Sequence, residues 1–507
     1  MTSSQRILVN TAAQYTRTII NVCLSLYSTR LILAALGQTD YGIYSVVAGI
    51  VAMLSFITNA LVTTTQRYLS FNHGKGDKEK VYLVFGNSLL LHILIAIVLT
   101  IILVAITYPV MHNLLHIEPE RLIAGTWVYE AAVLMLCLTF ITAPFRALFI
   151  ARENIVYISI IDVLDGIFKL LIAIFLTYIT HHDRLISYAF LLTGISLFNL
   201  VAFAGYALLH FEECHIPCWK EWDKHYINDL SSFAGWTIYS TGCILARTQG
   251  LAVILNRVFG SAMNAAYGIS LQVTGAVHFV AQSVMNAMAP QIIKAEGSGE
   301  RNHMLLLAES ASKYATLLLA IVVIPLVAEM PAILNVWLKE VPEHAVMFCR
   351  FVLIASVFDQ ITIGLGTANQ AIGKIRNYSL TVNTIKVLTL PAAWICLHFG
   401  MLVDSVMWCY VFIEMICALT RLPFLKITAG LHIGHFVLNV FVRSLFSIGV
   451  MIITTYCITW IIDIPYRFIL TIVVTAAIGS LAIWFTALSK HEKDILKNIL
   501  RSKLQKI

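Results

Sequence analysis

Apolar runs about twenty residues long, separated by short polar stretches, succeed one another along the whole chain. A helix of about 20 residues crosses the roughly 30 Å of bilayer hydrocarbon, whereas a β-barrel strand needs only about 9–11. The runs therefore predict helices. Fourteen are expected. The first six are Ala13–Leu36, Tyr41–Thr65, Val84–Val110, Ile123–Ala143, Val156–Ile179 and Leu185–Leu209. After a polar, aromatic stretch come Ser232–Leu255, Ala262–Met288, Tyr314–Leu334, Ala345–Thr367, Tyr378–Leu397 and Val403–Leu422, then Val437–Ile461 and Phe468–Leu488. The pattern predicts an all-α polytopic membrane protein of about 14 transmembrane helices.

Composition agrees. Of 507 residues 59% are hydrophobic and 12% charged, with a mean hydropathy of +0.83. Soluble domains carry about 25% charged residues, so little is left to solvate a water-facing surface. The first apolar run is full length and lacks a small-residue cleavage site, so it reads as a retained helix and not a signal peptide. Lysine and arginine fix the expected orientation, because cytoplasmic loops hold an excess of them. About 22 fall on one side, among them Arg67, Lys75, Arg146, Arg152, Lys294, Arg301, Lys313, Arg421 and six in the tail. About five fall on the other: Arg121, Arg184, Arg257, Lys339 and Arg467. Both termini are expected in the cytoplasm. This asymmetry also accounts for the net charge of +7, so no nucleic-acid partner is expected.

The sequence repeats itself. Gln66-Arg67-Tyr68-Leu69-Ser70-Phe71-Asn72-His73-Gly74-Lys75-Gly76-Asp77 returns, altered, as Pro290-Gln291-Ile292-Ile293-Lys294-Ala295-Glu296-Gly297-Ser298-Gly299-Glu300, an offset of 223. Leu36-Gly37 finds Phe259-Gly260 at the same offset, and Tyr41-Gly42-Ile43 resembles Tyr267-Gly268-Ile269. Ile161-Asp162-Val163-Leu164-Asp165 aligns with Val382-Asn383-Thr384-Ile385-Lys386 at an offset of 221. Five segments are expected: a six-helix lobe at 1–210, an interfacial linker at 211–228, a homologous six-helix lobe at 229–430, two additional helices at 431–488 and a basic amphipathic tail at 489–507. Repeats of this kind build many secondary transporters, with the substrate path between the copies.

Two six-helix lobes, a Gly-x-Gly-acidic loop after helices 2 and 8, and Leu-Gly…Tyr-Gly between helices 1 and 2 resemble the multidrug/oligosaccharidyl-lipid/polysaccharide exporter superfamily. Within it the chain is similar to the polysaccharide-type flippases that move undecaprenyl-linked oligosaccharides. The resemblance covers roughly Thr2 to Lys426. It implies a V-shaped pair of lobes, alternating access, a bacterial inner-membrane location and a role in surface polysaccharide assembly. The implied partners are a lipid-linked oligosaccharide as substrate, membrane lipids, and a polysaccharide polymerase with other assembly proteins.

Ionisable groups inside spans mark function, because each costs about 2.5–3.5 kcal/mol at mid-helix by insertion measurements. Nine stand out: Arg30, Glu130, Asp162, Asp165, Lys169, Arg247, Asp359, Lys386 and Glu414. A lipid-linked sugar diphosphate needs cations. Guanidinium binds phosphate bidentately and ammonium acts as a point charge, so Arg30, Arg247, Lys386 and Lys169 are the expected substrate-binding residues. Asp162, Asp165, Asp359 and Glu414 are the expected gate or ion-coupling residues, with protons or sodium as the candidate coupling ions. Asp162, Asp165 and Lys169 share one helix face at i, i+3 and i+7. Asp165 to Lys169 at i, i+4 reads equally as a private ion pair. The repeat makes Asp165 and Lys386 equivalent, so a gate formed between them is a second expectation. Arg247 has no partner within its own helix. Arg30 lies where it could snorkel to the interface, Glu130 reads as a satisfied core carboxylate, and His92 and His278 as histidines bonded to neighbouring helices.

The rest is less specific. Pro144, Pro290, Pro325 and Pro391 fall in or at the ends of spans and are candidate kinks. Cys214, His215 and Cys218 have no second ligand cluster and read as surface residues, so no metal site is expected. No Gly-rich phosphate loop or large extramembrane segment supports an enzyme such as a membrane glycosyltransferase, and no cofactor is implied. The nearest alternative is a cation-coupled multidrug or small-molecule antiporter of the same superfamily.

Overall fold

A computed structural model describes residues 3–493 apart from 53, 115–117, 179–182, 216, 218–221, 260, 339–340 and 489–491. The described residues are helical with no strands. Ten helices are long and apolar enough to cross a membrane, eleven counting one bent pair. We number the helices α1 (Val9–Gly37), α2 (Ser55–Lys75 with the helical residues 38–52 before it), α3 (Lys78–Ala105), α4 (Pro119–Ala151), α5 (Ile155–Tyr178), α6 (Arg184–His210) and α7 (Lys224–Phe259). The second half holds α8 (Ser261–Gly297), α9 (Arg301–Trp337), α10 (Ala345–Ile361 and Ile363–Ile372), α11 (Ile375–His398), α12 (Val403–Ala429), α13 (Ile433–Ile461) and α14 (Arg467–Ala487). Helices α2, α5 and α8 fall outside that count. In α5 the cause is visible: Asp162, Asp165 and Lys169 fall within it. These three occupy the places where hydropathy predicts spans, which gives fourteen helices in an all-α membrane fold.

Several helices outrun their apolar windows. Helix α2 continues to Lys75, α4 to Ala151 and α12 to Ala429. Arg67, Lys313 and Arg421, which the loop-charge count assigns to cytoplasmic connections, are buried side chains on helices.

The chain divides into two compact units, one formed by Leu8–Ile238 and the other beginning at Tyr239. In the first, α4 packs against α2, α3 and α6, and in the second α10 packs against α8, α9 and α12. The repeat thus reappears as the same set of helix neighbours. Both hubs bury small residues: Gly125, Ala131, Ala132, Ala143 and Ala147 on α4, and Ala345, Ala355, Gly364, Ala368 and Ala371 on α10. Small side chains let helix backbones approach, which is how apolar helices gain packing in lipid.

The Gly-x-Gly loops show why the motif repeats. The Gly76 N–H donates to His73 O (3.1 Å) and the Asp77 N–H to Asn72 O (3.2 Å), with Gly76 at φ 71°. In the second copy the Gly299 N–H donates to Glu296 O and the Glu300 N–H to Ala295 O, both at 3.0 Å, with Gly299 at φ 82°. This paired closure needs a left-handed residue. Asp77 then caps α3, its carboxylate accepting from the Lys80 N–H at 3.1 Å, which the longer Glu300 does not do for α9.

One sharp bend contains no proline. Helix α10 breaks at Thr362 with a 45° turn between its halves, whereas Pro144, Pro290 and Pro325 lie inside continuous helices. The Gly364 N–H on the far side of the break donates to Ser312 Oγ of α9 at 3.0 Å. A Cβ at Gly364 would stand 2.1 Å from Ala308 O. Gly364→Ala is therefore expected to force α9 and α10 apart and lower the thermal unfolding midpoint, at a cost of about 1–3 kcal/mol. Gly449→Ala, where a Cβ meets nothing within 4 Å, is the control that should leave the midpoint in place.

Helices α13 and α14 pack on α9, and polar clamps fasten them. Glu329, 2% exposed, accepts from Arg467 Nε at 2.8 Å and from Thr471 Oγ1 at 2.9 Å. Glu309 meets His435 at 3.0 Å, and Lys313 donates to Glu492 at 2.7 Å. Apart from residues 492 and 493, the expected amphipathic tail at 489–507 lies outside the described residues.

The start of the linker is tied to the first lobe. Glu213 accepts from Arg152, with Nε at 2.7 Å, and faces His73 Nε2 at 3.3 Å. His215 stacks on Tyr82 with ring centroids 3.6 Å apart. Burial alone would raise the Glu213 carboxyl, but the His73 and Arg152 hydrogen bonds outweigh it and bring its pKa down to about 2. A carboxylate with a depressed folded pKa stabilises above its unfolded value of about 4.3 and loses that contribution as pH falls toward the folded value. Glu213→Gln should thus lower the unfolding midpoint at pH 7, and the gap to the unmodified protein should narrow progressively below about pH 4.3. Cys214 is buried, not a surface residue as expected, and burial pushes its thiol up to about 12. Cys218 lies outside the described residues, and among the described residues no group of three or more His, Cys, Asp or Glu could hold a metal.

Candidate functional site

In the second lobe, five charges from four helices form one alternating chain. Arg247 of α7 pairs with Glu414 of α12 through Oε2. Lys386 of α11 donates to the other oxygen of Glu414 at 2.5 Å and to Asp359 Oδ1 of α10 at 3.1 Å. Arg421, two turns beyond Glu414 on α12, donates from Nη2 to Asp359 Oδ1 at 2.7 Å. The order is cation, carboxylate, cation, carboxylate, cation. Four of the side chains are buried, and Asp359 is partly buried at 14% exposed. Taking such ions out of water costs several kcal/mol each, and only close, fully bonded partners offset that. Alternation supplies them, yet leaves one surplus positive charge.

Local backbone places these groups. Asp359 stands just before the break in α10, where the helix is interrupted at Thr362. Arg421 Nη1 donates to Asp359 O at 3.0 Å and to Thr362 Oγ1 at 3.3 Å. One wide π-helical turn, Ser379–Asn383, precedes Lys386 on α11. Such a turn inserts an extra residue and rotates the side chains beyond it about the helix axis. The Arg247 guanidinium also lies over the Tyr410 ring, 4.6 Å from its centroid, while its Nε has no hydrogen-bond partner. A cavity of about 330 Å³ opens here, bounded by Arg247, His278, Asp359, Lys386, Tyr410 and Glu414.

The first lobe has its own charges. Asp162 of α5 accepts two bonds from Arg146 of α4, at 3.0 and 2.8 Å, and pairs with Arg17 of α1. Asp165 pairs with Lys169 at 2.7 Å and accepts from Asn199 Nδ2 of α6 at 2.8 Å. The private i, i+4 pair is thus what the structure contains. Within the second lobe Lys386 is held by Asp359 and Glu414. Arg247, unpaired within its own helix, finds its carboxylate on α12. Glu130 is exposed and not the core carboxylate expected, and Arg30 is exposed too. His92 bonds its own helix, with Nδ1 2.7 Å from Ser88 O, and not a neighbouring one.

Three cations in these clusters are not flagged by the sequence pattern. Arg17 lies inside the first predicted span yet is not among the nine, and the loop-charge count places Arg146 and Arg421 in cytoplasmic connections. Apolar residues continue past both, as Ala147-Leu148-Phe149-Ile150 and as Leu422-Pro423-Phe424-Leu425, and that continuation is the available signal.

No family model matches the chain. One curated relative, an uncharacterized membrane protein EpsK of Bacillus subtilis (strain 168), is 23% identical over 345 residues, and the match spans 65% of each protein. The fold itself recurs in solved structures of MATE transporters. A MOP superfamily transporter from Pyrococcus furiosus, described by the reverse polarity of its binding pocket, matches at a TM-score of 0.71 and 13% identity, over 85% of this chain and 96% of that one. An outward-facing multidrug resistance MATE family transporter matches at 0.70 and 14%, over 85% and 96%. The MATE transporter ClbM in complex with Rb+ matches at 0.70 and 15%, over 84% and 95%. The chain has a MATE-type fold and is a multi-pass membrane protein.

Proposed function

We propose that the chain is a transporter, and specifically a flippase that carries an undecaprenyl-diphosphate-linked oligosaccharide across the bacterial inner membrane by alternating access, for assembly of O-antigen, capsule or exopolysaccharide. The observation that carries this reading is the five-charge chain in the second lobe, which ends in a guanidinium at both ends and lines a cavity of about 330 Å³ with four of its members, Arg247, Glu414, Lys386 and Asp359. A diphosphate brings the counter-charge that the chain lacks, and the free Nε–H of Arg247 is a donor without an acceptor. Charge-assisted bonds of this kind are roughly twice as strong as neutral ones. In this reading both termini and the Gly76 and Gly299 loops are cytoplasmic, and the product passes to a polymerase and other assembly proteins.

A cation-coupled antiporter is the second reading, favoured by the fold shared with a Rb+-bound MATE transporter. Against it, Asp359 and Glu414 each already hold two internal cations. Proteoliposomes separate the two. Purified protein should move a fluorescent undecaprenyl-diphosphate-linked sugar to the opposite leaflet, measured by its accessibility to an added glycosidase. Dye efflux driven by a sodium or proton gradient, without lipid movement, would establish the antiporter instead. Reporter fusions after Lys80, Arg301 and Ile507 should all report cytoplasmic, and an external signal from any of them would overturn the orientation.

A further inference from the structure

We infer that the first lobe holds a binding site for a neutral polyhydroxylated ligand, a sugar ring of the lipid-linked substrate, in the cavity walled by α1, α5 and α6. The inference rests on the flippase reading and adds to it the part of the substrate that the charge chain does not address.

This cavity measures about 420 Å³ and is lined by groups that hydrogen-bond without carrying net charge. From α1 come Asn21, Ser25, Ser28 and Thr29, at helical spacing that places them on one face. Two of them lack partners. Ser28 is 4% exposed with no hydrogen bond to its Oγ, and the buried Asn21 Oδ1 is equally unpartnered. Buried polar atoms of this kind are destabilising unless something bonds them. Ser196 of α6 adds a further hydroxyl to the wall. Tyr44 and Tyr188, with ring centroids 4.9 Å apart, add an aromatic wall against which the C–H face of a sugar can lie.

Charge decides the class of ligand. Asp165 is the only carboxylate in the wall among the described residues, and Lys169 and Asn199 occupy its two oxygens at 2.7 and 2.8 Å. A metal cation would have to displace the ammonium, and an anion would have to displace the carboxylate. The volume is also far more than a bare ion needs, and lies within the roughly 300–1,000 Å³ of small-molecule sites. Hydroxyls donate and accept, as sugar hydroxyls do. The wall is fitted closely: a Cβ at Gly166 of α5 would lie 2.7 Å from Asn21 Oδ1 and 3.0 Å from Leu24 Cδ1. Glycine there lets α5 approach α1 and leaves the Asn21 amide against the cavity.

The test uses full-length protein in nanodiscs and two probes, undecaprenyl diphosphate and the same lipid bearing one neutral hexose. In the unmodified protein the hexose should tighten binding about tenfold. Ser28→Val and Asn21→Leu should remove that gain while binding the sugar-free lipid unchanged, and Gly166→Ala, which displaces Asn21, should do the same. Equal affinity for the two lipids, or a gain that survives all three substitutions, would overturn the inference and leave the flippase reading standing. So would a sodium- or proton-dependent binding signal that Ser28→Val abolishes without sugar. A lipid-independent measurement covers the remaining case: in Ser28→Cys, millimolar disaccharide should slow alkylation of that thiol, read by mass spectrometry. Protection by disaccharide without binding of either lipid would keep the sugar site and sink the flippase, and absence of both would sink both.

Discussion

Arg247→Ala should stop polysaccharide export while leaving the amount of protein in the membrane unchanged. The substitution removes the cation that terminates the charge chain at the cavity and the only donor there with a free N–H on a guanidinium among the described residues. One charge-assisted bond to a diphosphate, at about 1.5–3 kcal/mol, corresponds to a loss on the order of 10–10²-fold. Arg247→Lys keeps the charge but not the fork, so partial export would show that charge alone is read and complete loss that bidentate geometry is. Glu414 provides the control. Arg247 is its partner, so the single substitution leaves that carboxylate with Lys386 only. If Arg247→Ala depletes the protein and Arg247→Ala with Glu414→Gln restores its abundance without restoring export, the pair holds the fold and the arginine also serves transport. Recovery of export in the double variant would show that Arg247 merely neutralises Glu414.

Arg421→Met should have the largest effect on stability. Its guanidinium binds both the carboxylate and the carbonyl of Asp359, so one substitution leaves Asp359 with a single cation and its C=O without the Arg421 bond. Removing one partner of a buried charge pair costs about 3–5 kcal/mol, and methionine keeps the volume, so packing contributes little to the change. The unfolding midpoint should fall, and backbone hydrogen exchange should quicken selectively across residues 359–366. Unchanged stability and exchange together with lost export would show that Arg421 meets the ligand and does not pin the break.

Much of this architecture is legible in the sequence because hydropathy, loop charge and repetition all register along the chain. The runs yield fourteen helices, and the Gly-x-Gly-acidic motif marks two turns that share one hydrogen-bond pattern. The Asp165–Lys169 pair is legible too, since i, i+4 spacing is a local signal. The five-charge chain is not. Arg247 and Glu414 are 167 residues apart, and Lys386 and Asp359 are 27 apart on different helices, so periodicity within a helix says nothing of their meeting. The loop-charge count misplaces Arg146 and Arg421 for a different reason: the end of an apolar run marks the edge of hydrocarbon, while the helix continues for as long as its backbone bonds do. The break at Thr362 carries no proline. Its trace is Gly364 and Gly366, which become informative only once α9 is seen lying against Gly364.

The clamps on α9 bear on how a chain of this kind can change length over generations. Glu309, Lys313 and Glu329 are each answered by a residue from the last two helices or just after them. A version ending after α12 would leave Glu309, Lys313 and Glu329 on α9 without the partners that now answer them. Shortening is therefore blocked unless α9 is rewritten first. A twelve-helix chain of this fold would be expected to carry apolar or neutral residues at the positions of Glu309, Lys313 and Glu329, because their partners all come from α13 onward.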